Sequence, residues 1–238
     1  MPSLMLIYQV IAGLSLFKAA HALDGSYPVA FYPLNNEYKT REINNRQPQG
    51  TPVGVSLAPG PNNNDGGSYQ FTGQANSYIK FPNDGGLDVQ RSITVLFWVN
   101  YKSRSSTPYQ NLVSYINVKR EKLGFGLSIY KKKLAGGMND RAYEIESYWL
   151  ATKTLEPDAW YFVGISYDDN TGIARLYADD IFVGQKNLTA NGGVATDGNV
   201  LMGGFPNGYQ NMQGRITNLR IFDVALTLTE INAVKEAH

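Results

Sequence analysis

The chain of 238 residues contains no cysteine and only two histidines. His21 falls in an N-terminal apolar segment and His238 is the last residue of the sequence, so we expect neither to act in a folded site. The sequence therefore argues against Ser-His-Asp and Cys-His catalysis and against zinc sites built from cysteine and histidine. Without disulfides, the fold must be held by a hydrophobic core, which a chain of this length can build. Any catalytic or binding site must therefore be built from carboxylates, oxygen-liganded metal ions or aromatic surfaces.

An excess of charge of either sign is also lacking. The chain carries 21 Lys and Arg residues against 20 Asp and Glu residues, which gives a formal net charge of +1. Proteins that bind nucleic acid non-specifically usually carry a strong positive charge. We therefore expect no nucleic-acid partner.

Long apolar runs are confined to the N-terminus. Residues 5–17 are almost unbroken apolar, which suits the h-region of a signal peptide and is too short to span a bilayer. The triplet Ala-His-Ala at residues 20–22 fits the small-x-small rule for cleavage, although no Lys or Arg precedes the run and Gln9 interrupts it. The alternative is a buried N-terminal helix. We predict a signal peptide over residues 1–22, followed by one secreted, extracellular domain over residues 23–238 that does not span a membrane.

After residue 22, short runs of alternating apolar and polar residues are separated by clusters of Gly, Asn, Asp and Pro. This pattern is typical of a sandwich of antiparallel sheets. Strands are predicted over residues 29–33, 68–71, 77–81, 93–100, 111–117, 123–130, 142–150, 160–167, 173–178, 181–185, 200–202 and 214–222. One short C-terminal helix is predicted from Thr227, because Glu230 stands at capping-box spacing and apolar residues follow at helical intervals.

Four landmarks occur in order along the chain. They are VAFYPLN (29–35), YQFTGQANSYIKFPN (69–83) with LDVQRSITVLFWVN (87–100), AWYFVGISYDDNTGIARLYADD (159–180) and LMGGFPNGYQNMQGRITNLRIFDVALTLTEI (201–231). Together these segments resemble the laminin G-like domains of the concanavalin A-like lectin-glucanase jelly-roll family. The resemblance implies an all-β, two-sheet antiparallel jelly-roll sandwich with one short C-terminal helix.

The stretch YEIESYWL (143–150) raises the question of catalysis. The resemblance includes laminarinase-type glycoside hydrolases, whose strand signature is similar to Glu-aliphatic-Asp-x-(x)-Glu. Glu144 matches its first position, but Glu146 replaces the aspartate and no carboxylate follows over residues 148–150. Simple alternation instead predicts that residues 143 and 145 point inward and that both glutamates face solvent. We expect a non-catalytic protein, with a degenerate or residual glycoside hydrolase as an alternative.

Calcium is the one cofactor that the resemblance suggests. Relatives tend to carry aspartates before the glycine of the aromatic-x-Gly turn and after the isoleucine of the last strand. Thr72 and Thr217 stand at those positions here. Calcium prefers six to eight oxygen ligands that include carboxylates, and neutral hydroxyls supply no compensating charge. We therefore expect no cofactor, the family's metal site being lost or weak.

Two groups of residues are candidates for ligand binding. Aromatic side chains next to polar ones suit carbohydrates, and they occur at Tyr148 and Trp149 and again at Phe205 and Tyr209. Basic clusters occur at Lys119, Arg120 and Lys122 and at Lys131, Lys132 and Lys133. The clusters are separated by a predicted strand of about 26 Å, so we expect them at opposite rims of the sandwich. The alternative for each group is ordinary packing or a solvated turn.

Asn187-Leu188-Thr189 is an acceptor sequence for N-glycosylation and follows a predicted strand. The sequence thus favours a secreted glycoprotein that recognises an extracellular glycan or matrix protein. The alternative is a structural component of an extracellular, mineral-associated organic matrix.

Overall fold

A computed structural model describes residues 27–117, 122–188, 192–206, 208 and 210–237. The predicted signal peptide lies outside the described residues, as do Lys119, Arg120, Thr189 and Tyr209. Within the described ranges, no helix is long and apolar enough to cross a membrane.

Fifteen strands and one helix are present in these ranges. They are β1 (Ala30–Tyr32), β2 (Thr51–Val53), β3 (Val55–Ala58), β4 (Ser68–Thr72), β5 (Tyr78–Phe81), β6 (Ile93–Tyr101), β7 (Tyr109–Asn117), β8 (Lys122–Tyr130), β9 (Lys133–Asn139), β10 (Glu146–Thr154), β11 (Trp160–Asp168), β12 (Ile173–Ala178), β13 (Ile181–Asn187), β14 (Asn199–Met202), β15 (Gln213–Phe222) and α1 (Leu228–Glu236).

The strands form two antiparallel sheets that pack face to face. Sheet A has the order β13-β12-β11-β6-β15-β4-β3, with β1 added beside β15. Sheet B has the order β10-β9-β8-β7-β14-β5-β2. Neighbours such as β6 and β15 are far apart in sequence, so the chain crosses repeatedly from one sheet to the other. The predicted all-β jelly-roll sandwich with one C-terminal helix is confirmed.

The strand β6 shows why these residues form a buried sheet. Its residues Ile93, Val95, Phe97 and Val99 face the core between the sheets. The intervening Leu96 faces the other way and belongs to a second apolar cluster, which α1 covers through Ile231 and Val234. A strand in the middle of sheet A is thereby apolar on both faces and reads as a continuous apolar run.

The helix α1 forms where its start signals predict it. Thr227 is the N-cap: its hydroxyl accepts a hydrogen bond from the Glu230 backbone N–H, and the Glu230 carboxylate accepts one from the Thr227 N–H at 2.7 Å. This reciprocal capping box satisfies two of the free N–H groups at the helix start.

The predicted strand over 142–150 was wrong in its first four residues. Asp140 accepts hydrogen bonds at Oδ1 from the N–H groups of Glu144 and Ile145, at 2.8 and 3.0 Å, and Tyr143 has φ of 60°. These bonds make a turn, so β10 begins only at Glu146. Tyr143 is buried as expected, but Ile145 is 36% exposed instead of inward-facing.

Candidate functional site

The outer face of sheet B, turned away from the core, carries a groove of about 550 Å³. Its floor consists of small side chains on the two neighbouring strands β8 and β9. Gly126 pairs with Gly137, and Ser128 pairs with Ala135. Because larger residues stand on the strands to either side, the small residues leave a trough instead of a flat sheet.

Tyr148 of β10 forms one wall of the groove. Its ring lies over Gly137: a Cβ added to that glycine would come within 3.1 Å of the Tyr148 Cε1 atom. The residue is 51% exposed, so about half of its surface is open to solvent. The hydroxyl donates a hydrogen bond to Glu146 Oε1. Burial and, after it, this hydrogen bond raise the pKa of Tyr148 well above its ordinary value, so the group stays a neutral phenol.

Trp149 points to the other side of the sheet. It is 8% exposed and belongs to the main hydrophobic core, although it also borders the groove. Its ring packs directly on Gly136, where an added Cβ would meet ring atoms at 2.5 Å. Of the two adjacent aromatic residues that the sequence nominated, only Tyr148 offers an exposed ring.

The opposite wall comes from the segment between β14 and β15. Phe205 and Gln210 line the groove from this side. The fully buried Asn211 holds the segment in place, since its Oδ1 accepts from the Phe205 N–H at 2.8 Å and its Nδ2 donates to the Gln74 carbonyl at 2.8 Å. Two aromatic residues that are distant in sequence, Tyr148 and Phe205, thus line the same groove.

Two further tyrosines and the lysine turn mark one end of the groove. Tyr109 and Tyr130 lie side by side with ring centroids 5.7 Å apart. Lys131 and Lys132 form the two-residue turn between β8 and β9, with φ of 48° and 66°. The Lys131 Nζ lies 5.3 Å from the Tyr130 ring centroid, and Lys132 pairs with Glu156 at 3.2 Å. Of the other predicted basic cluster, only Lys122 is described, and its Nζ donates to the Tyr143 carbonyl at 3.2 Å.

Asn111 places an amide at the floor beside Ser128. Its Oδ1 accepts hydrogen bonds from the hydroxyls of Ser114 and Ser128, at 2.5 and 3.4 Å. Its Nδ2 is buried and has no hydrogen-bond partner within the described chain. The floor of the groove thus contains an amide donor that makes no hydrogen bond. Burying such a donor without a partner costs free energy.

The two glutamates of the nominated pair do not face each other in the groove. Glu144 lies in the turn before β10, and Glu146 on β10 is engaged by the Tyr148 hydroxyl. None of the described residues that line the groove is an aspartate or a glutamate.

The two threonines at the suggested calcium positions are used in other ways. The Thr217 hydroxyl donates to the Pro33 carbonyl at 2.8 Å and is buried. Thr72 is paired with Gln213, four residues before Thr217 on β15, which corresponds to about 13 Å along the strand. The described residues contain no group of three or more acidic or histidine side chains that would hold a metal ion.

Asn187 ends β13 and is exposed. It lies on sheet A, whereas the groove lies on sheet B. Glycosylation there stays a prediction, which a mass shift on enzymatic deglycosylation of the protein expressed in eukaryotic cells would test.

Sequence reasoning missed Tyr109, Asn111, Tyr130 and Gly137. The signal was an i, i+2 spacing, since Tyr109 and Asn111 alternate on β7 just as Ser128 and Tyr130 alternate on β8. That spacing shows that two residues share a face, but only the pairing register shows which strands lie beside each other.

A search of curated proteins found no match. Among solved structures, the chain is similar to the binding domain of Paraclostridial Mosquitocidal Protein 1, at 16% identity and a TM-score of 0.71 over 89% of this chain and 52% of that one. It is also similar to the botulinum neurotoxin serotype G binding domain, at 14% identity and a TM-score of 0.67 over 87% and 50%. It is similar as well to the receptor binding domain of a botulinum neurotoxin C/D mosaic serotype, at 15% identity and a TM-score of 0.68 over 89% of this chain and 51% of that one.

The chain spans about half the length of each of these structures. At such identities the similarity shows the fold alone. A laminin G family model, described as the concanavalin A-like lectin/glucanases superfamily, matches residues 72–232, which is more than half of the chain. With the two-sheet sandwich already described, this match shows that the chain belongs to the concanavalin A-like lectin/glucanases superfamily.

Proposed function

We propose that the protein is a secreted, non-catalytic binding module that holds an extracellular glycan in the groove of sheet B. The observation that carries the proposal is the ring of Tyr148, which packs on Gly137 and is about half exposed. A flat aromatic surface suits the CH face of a sugar ring, and the small residues beside it leave room for that ring.

The polar groups of the groove suit the hydroxyls of a sugar. Asn111 has a buried amide donor without a partner, and Ser128 and Gln210 stand near it on the lining. A sugar oxygen that reached this amide would recover the free energy lost by burying it unpaired. Ligand sites commonly combine an apolar lining with a few such polar groups, in volumes of the size found here.

The similar solved structures support binding as the general role. One is described as the binding domain of a mosquitocidal protein and two as binding domains of botulinum neurotoxins, one of these as a receptor binding domain. Their ligands do not transfer to this chain, because the shared feature is the fold. The glycan partner is therefore proposed from the groove itself.

The absence of catalysis is proposed from the same lining. Glycoside hydrolysis normally needs two carboxyl groups on either side of the scissile bond. The described lining has no carboxylate, and Glu146 is hydrogen-bonded to Tyr148 beside it. Hydrolysis of a β-glucan panel that disappears in Glu146→Gln would contradict this part of the proposal.

Glycan binding by wild type and by Tyr148→Ala tests the groove. We expect a glycan array to give specific hits, and we expect the substitution to weaken binding to the best hit by about tenfold, the equivalent of about 1.4 kcal/mol. Tyr27→Ala is the matched control, because Tyr27 is 53% exposed and lies outside the groove.

Equal affinity in wild type and Tyr148→Ala would place any glycan site elsewhere. An array without hits, together with recovery of the protein from an insoluble matrix, would instead favour the structural matrix component.

A further inference from the structure

The end of the groove at Tyr130 is positively charged. Lys131 extends over the Tyr130 ring, with its Nζ 5.3 Å from the ring centroid. Lys133 pairs with Tyr130 across β8 and β9, and it alternates along β9 with Ala135 and Gly137, which places it on the groove side of the sheet. Two cationic side chains therefore flank the aromatic end of the groove.

The part of the chain that the structure describes does not neutralise these two lysines. Within the described residues, neither Lys131 nor Lys133 has an ion-pair partner, whereas Lys132 between them pairs with Glu156. The described lining of the groove contains no acidic residue. The positive charge of Lys131 and Lys133 is thus free for a ligand.

The backbone of the turn makes this placement costly. Two-residue turns with positive φ at both positions favour Asn-Gly, because a β-carbon is strained there. The turn instead uses Lys131 and Lys132, at φ of 48° and 66°. Lys131 therefore occupies its position against local conformational preference, as Lys39 does elsewhere in the chain.

The two ends of the groove differ in charge. Near the other end, the carboxylate of Glu146 accepts a hydrogen bond from the Tyr148 hydroxyl. Tyr148 pairs with Gly137, which pairs with Gly126, four residues before Tyr130. At about 3.3 Å per residue, the backbone of Gly126, which is in register with Tyr148, is about 13 Å from that of Tyr130, which is in register with Lys133. A ligand that reaches both ends is longer than one sugar ring.

We propose that the groove selects an acidic oligosaccharide, with a sugar ring on Tyr148 and an anionic substituent held between Lys131 and Lys133. This inference rests on the proposed function and adds the charge and the orientation of the ligand. The anionic group is a carboxylate or a sulfate, since the oxygens of either group accept charge-assisted hydrogen bonds that an ammonium group donates.

Three probes with one sugar backbone test the inference by calorimetric titration. They are a tetrasaccharide that ends in glucuronic acid, the same molecule with the carboxyl group reduced to an alcohol, and the reduced molecule with a sulfate on the terminal sugar. We expect wild type to bind at least one acidic probe about tenfold more tightly than the neutral probe. This preference should shrink as salt concentration rises, because the lysines are near the surface.

Lys131→Gln with Lys133→Gln should abolish the preference, so that the variant binds the acidic and the neutral probes with equal affinity. Lys39→Gln with Arg41→Gln is the control, since it removes the same charge from exposed positions in the loop between β1 and β2. The carboxylate and sulfate probes show which anion the two lysines accept.

Equal affinity of wild type for acidic and neutral probes would overturn the inference and leave the proposed function standing. So would an acidic preference that survives in the Lys131 and Lys133 variant or that is lost equally in the control. Failure of wild type to bind any probe or any arrayed glycan would overturn the proposed function and this inference with it.

Discussion

At the scale of single residues, Tyr148 and Trp149 show how one step along a strand separates a binding surface from the core. Successive side chains on a strand point to opposite faces, so Tyr148 lies on the groove and Trp149 on the core side. Each ring rests on a glycine of β9, Tyr148 on Gly137 and Trp149 on Gly136. The two rings therefore need the same backbone feature but serve different purposes.

Trp149→Ala should lower the free energy of unfolding by about 3–5 kcal/mol, because it leaves a cavity in the core where the indole packs on Gly136. Tyr148→Ala should change it by about 1 kcal/mol or less, because that ring is half exposed. Urea unfolding of the two variants measures the contrast. Similar losses in both would contradict the assignment of the rings to different faces.

The residues of the candidate site were only partly predictable from the sequence. Tyr148 and Phe205 were nominated because aromatic residues among polar ones are visible locally. Asn111 and Tyr130 were not, because their role depends on β7 lying beside β8, a long-range pairing that local spacing does not encode. The cluster Lys131–Lys133 was nominated for its charge, but its position at one end of the groove came only from the fold.

At the scale of secondary-structure elements, predictability followed how local the determining interactions are. The helix α1 was predicted because its capping box is contained within four residues. The strand β9 was missed because it contains two glycines, which have low strand propensity. These glycines leave the space in which the rings of Tyr148 and Trp149 on β10 pack. The start of β10 was misplaced because the carboxylate of Asp140 turns the chain through backbone bonds that no alternation pattern reveals.

The short strands β2 and β3 were missed for a different reason. Both are edge strands with largely exposed residues, and the middle residue of β2 is Pro52. Proline is tolerated in a sheet mainly at its edge, where one of the two hydrogen-bonding sides is unpaired. Such strands lack the apolar alternation by which strands are recognised in a sequence.

Thr227→Ala should lower the free energy of unfolding by about 1 kcal/mol, the usual cost of losing an N-cap. The loss matters here because α1 covers the outer apolar cluster of sheet A through Ile231 and Val234. Thr229→Ala is the control: it lies on the exposed side of the same helical turn and is not the cap residue. Chemical denaturation of both variants checks the prediction, and a loss of equal size in the control would argue against the cap.

At the scale of the whole molecule, side-chain bonds join segments that the sheets leave apart. Near the groove, the Lys186 Nζ of sheet A donates to the Tyr148 carbonyl of sheet B at 3.0 Å. At another place, Asp88 accepts hydrogen bonds from both Nη atoms of Arg141, at 2.8 and 2.5 Å, and from the Thr196 hydroxyl at 2.9 Å. One carboxylate thus connects the β5–β6, β9–β10 and β13–β14 loops.

The connection through Asp88 gives the fold a dependence on pH. The hydrogen bond from Arg141 is the main cause that lowers the pKa of Asp88 below its ordinary value of 3.8, and the bond from Thr196 adds to it against the opposing effect of burial. A carboxyl group whose pKa is lower in the folded state stabilises the protein above its unfolded pKa. That stabilisation is lost as the pH falls through the folded pKa.

Asp88→Asn should therefore lower the free energy of unfolding near neutral pH by about 1.5–3 kcal/mol, the range for hydrogen bonds to charged groups. The difference between variant and wild type should begin to narrow as the pH falls below 3.8, the ordinary pKa that applies to the unfolded chain. It should disappear once the pH has passed the lower folded pKa, where Asp88 of the folded protein becomes protonated and loses its ionic bonds to Arg141. Urea unfolding over a series of pH values measures both effects, with Asp65→Asn in an exposed loop as the control. A difference that stays constant down to the acid limit would mean that the three loops are held together by packing and not by this carboxylate.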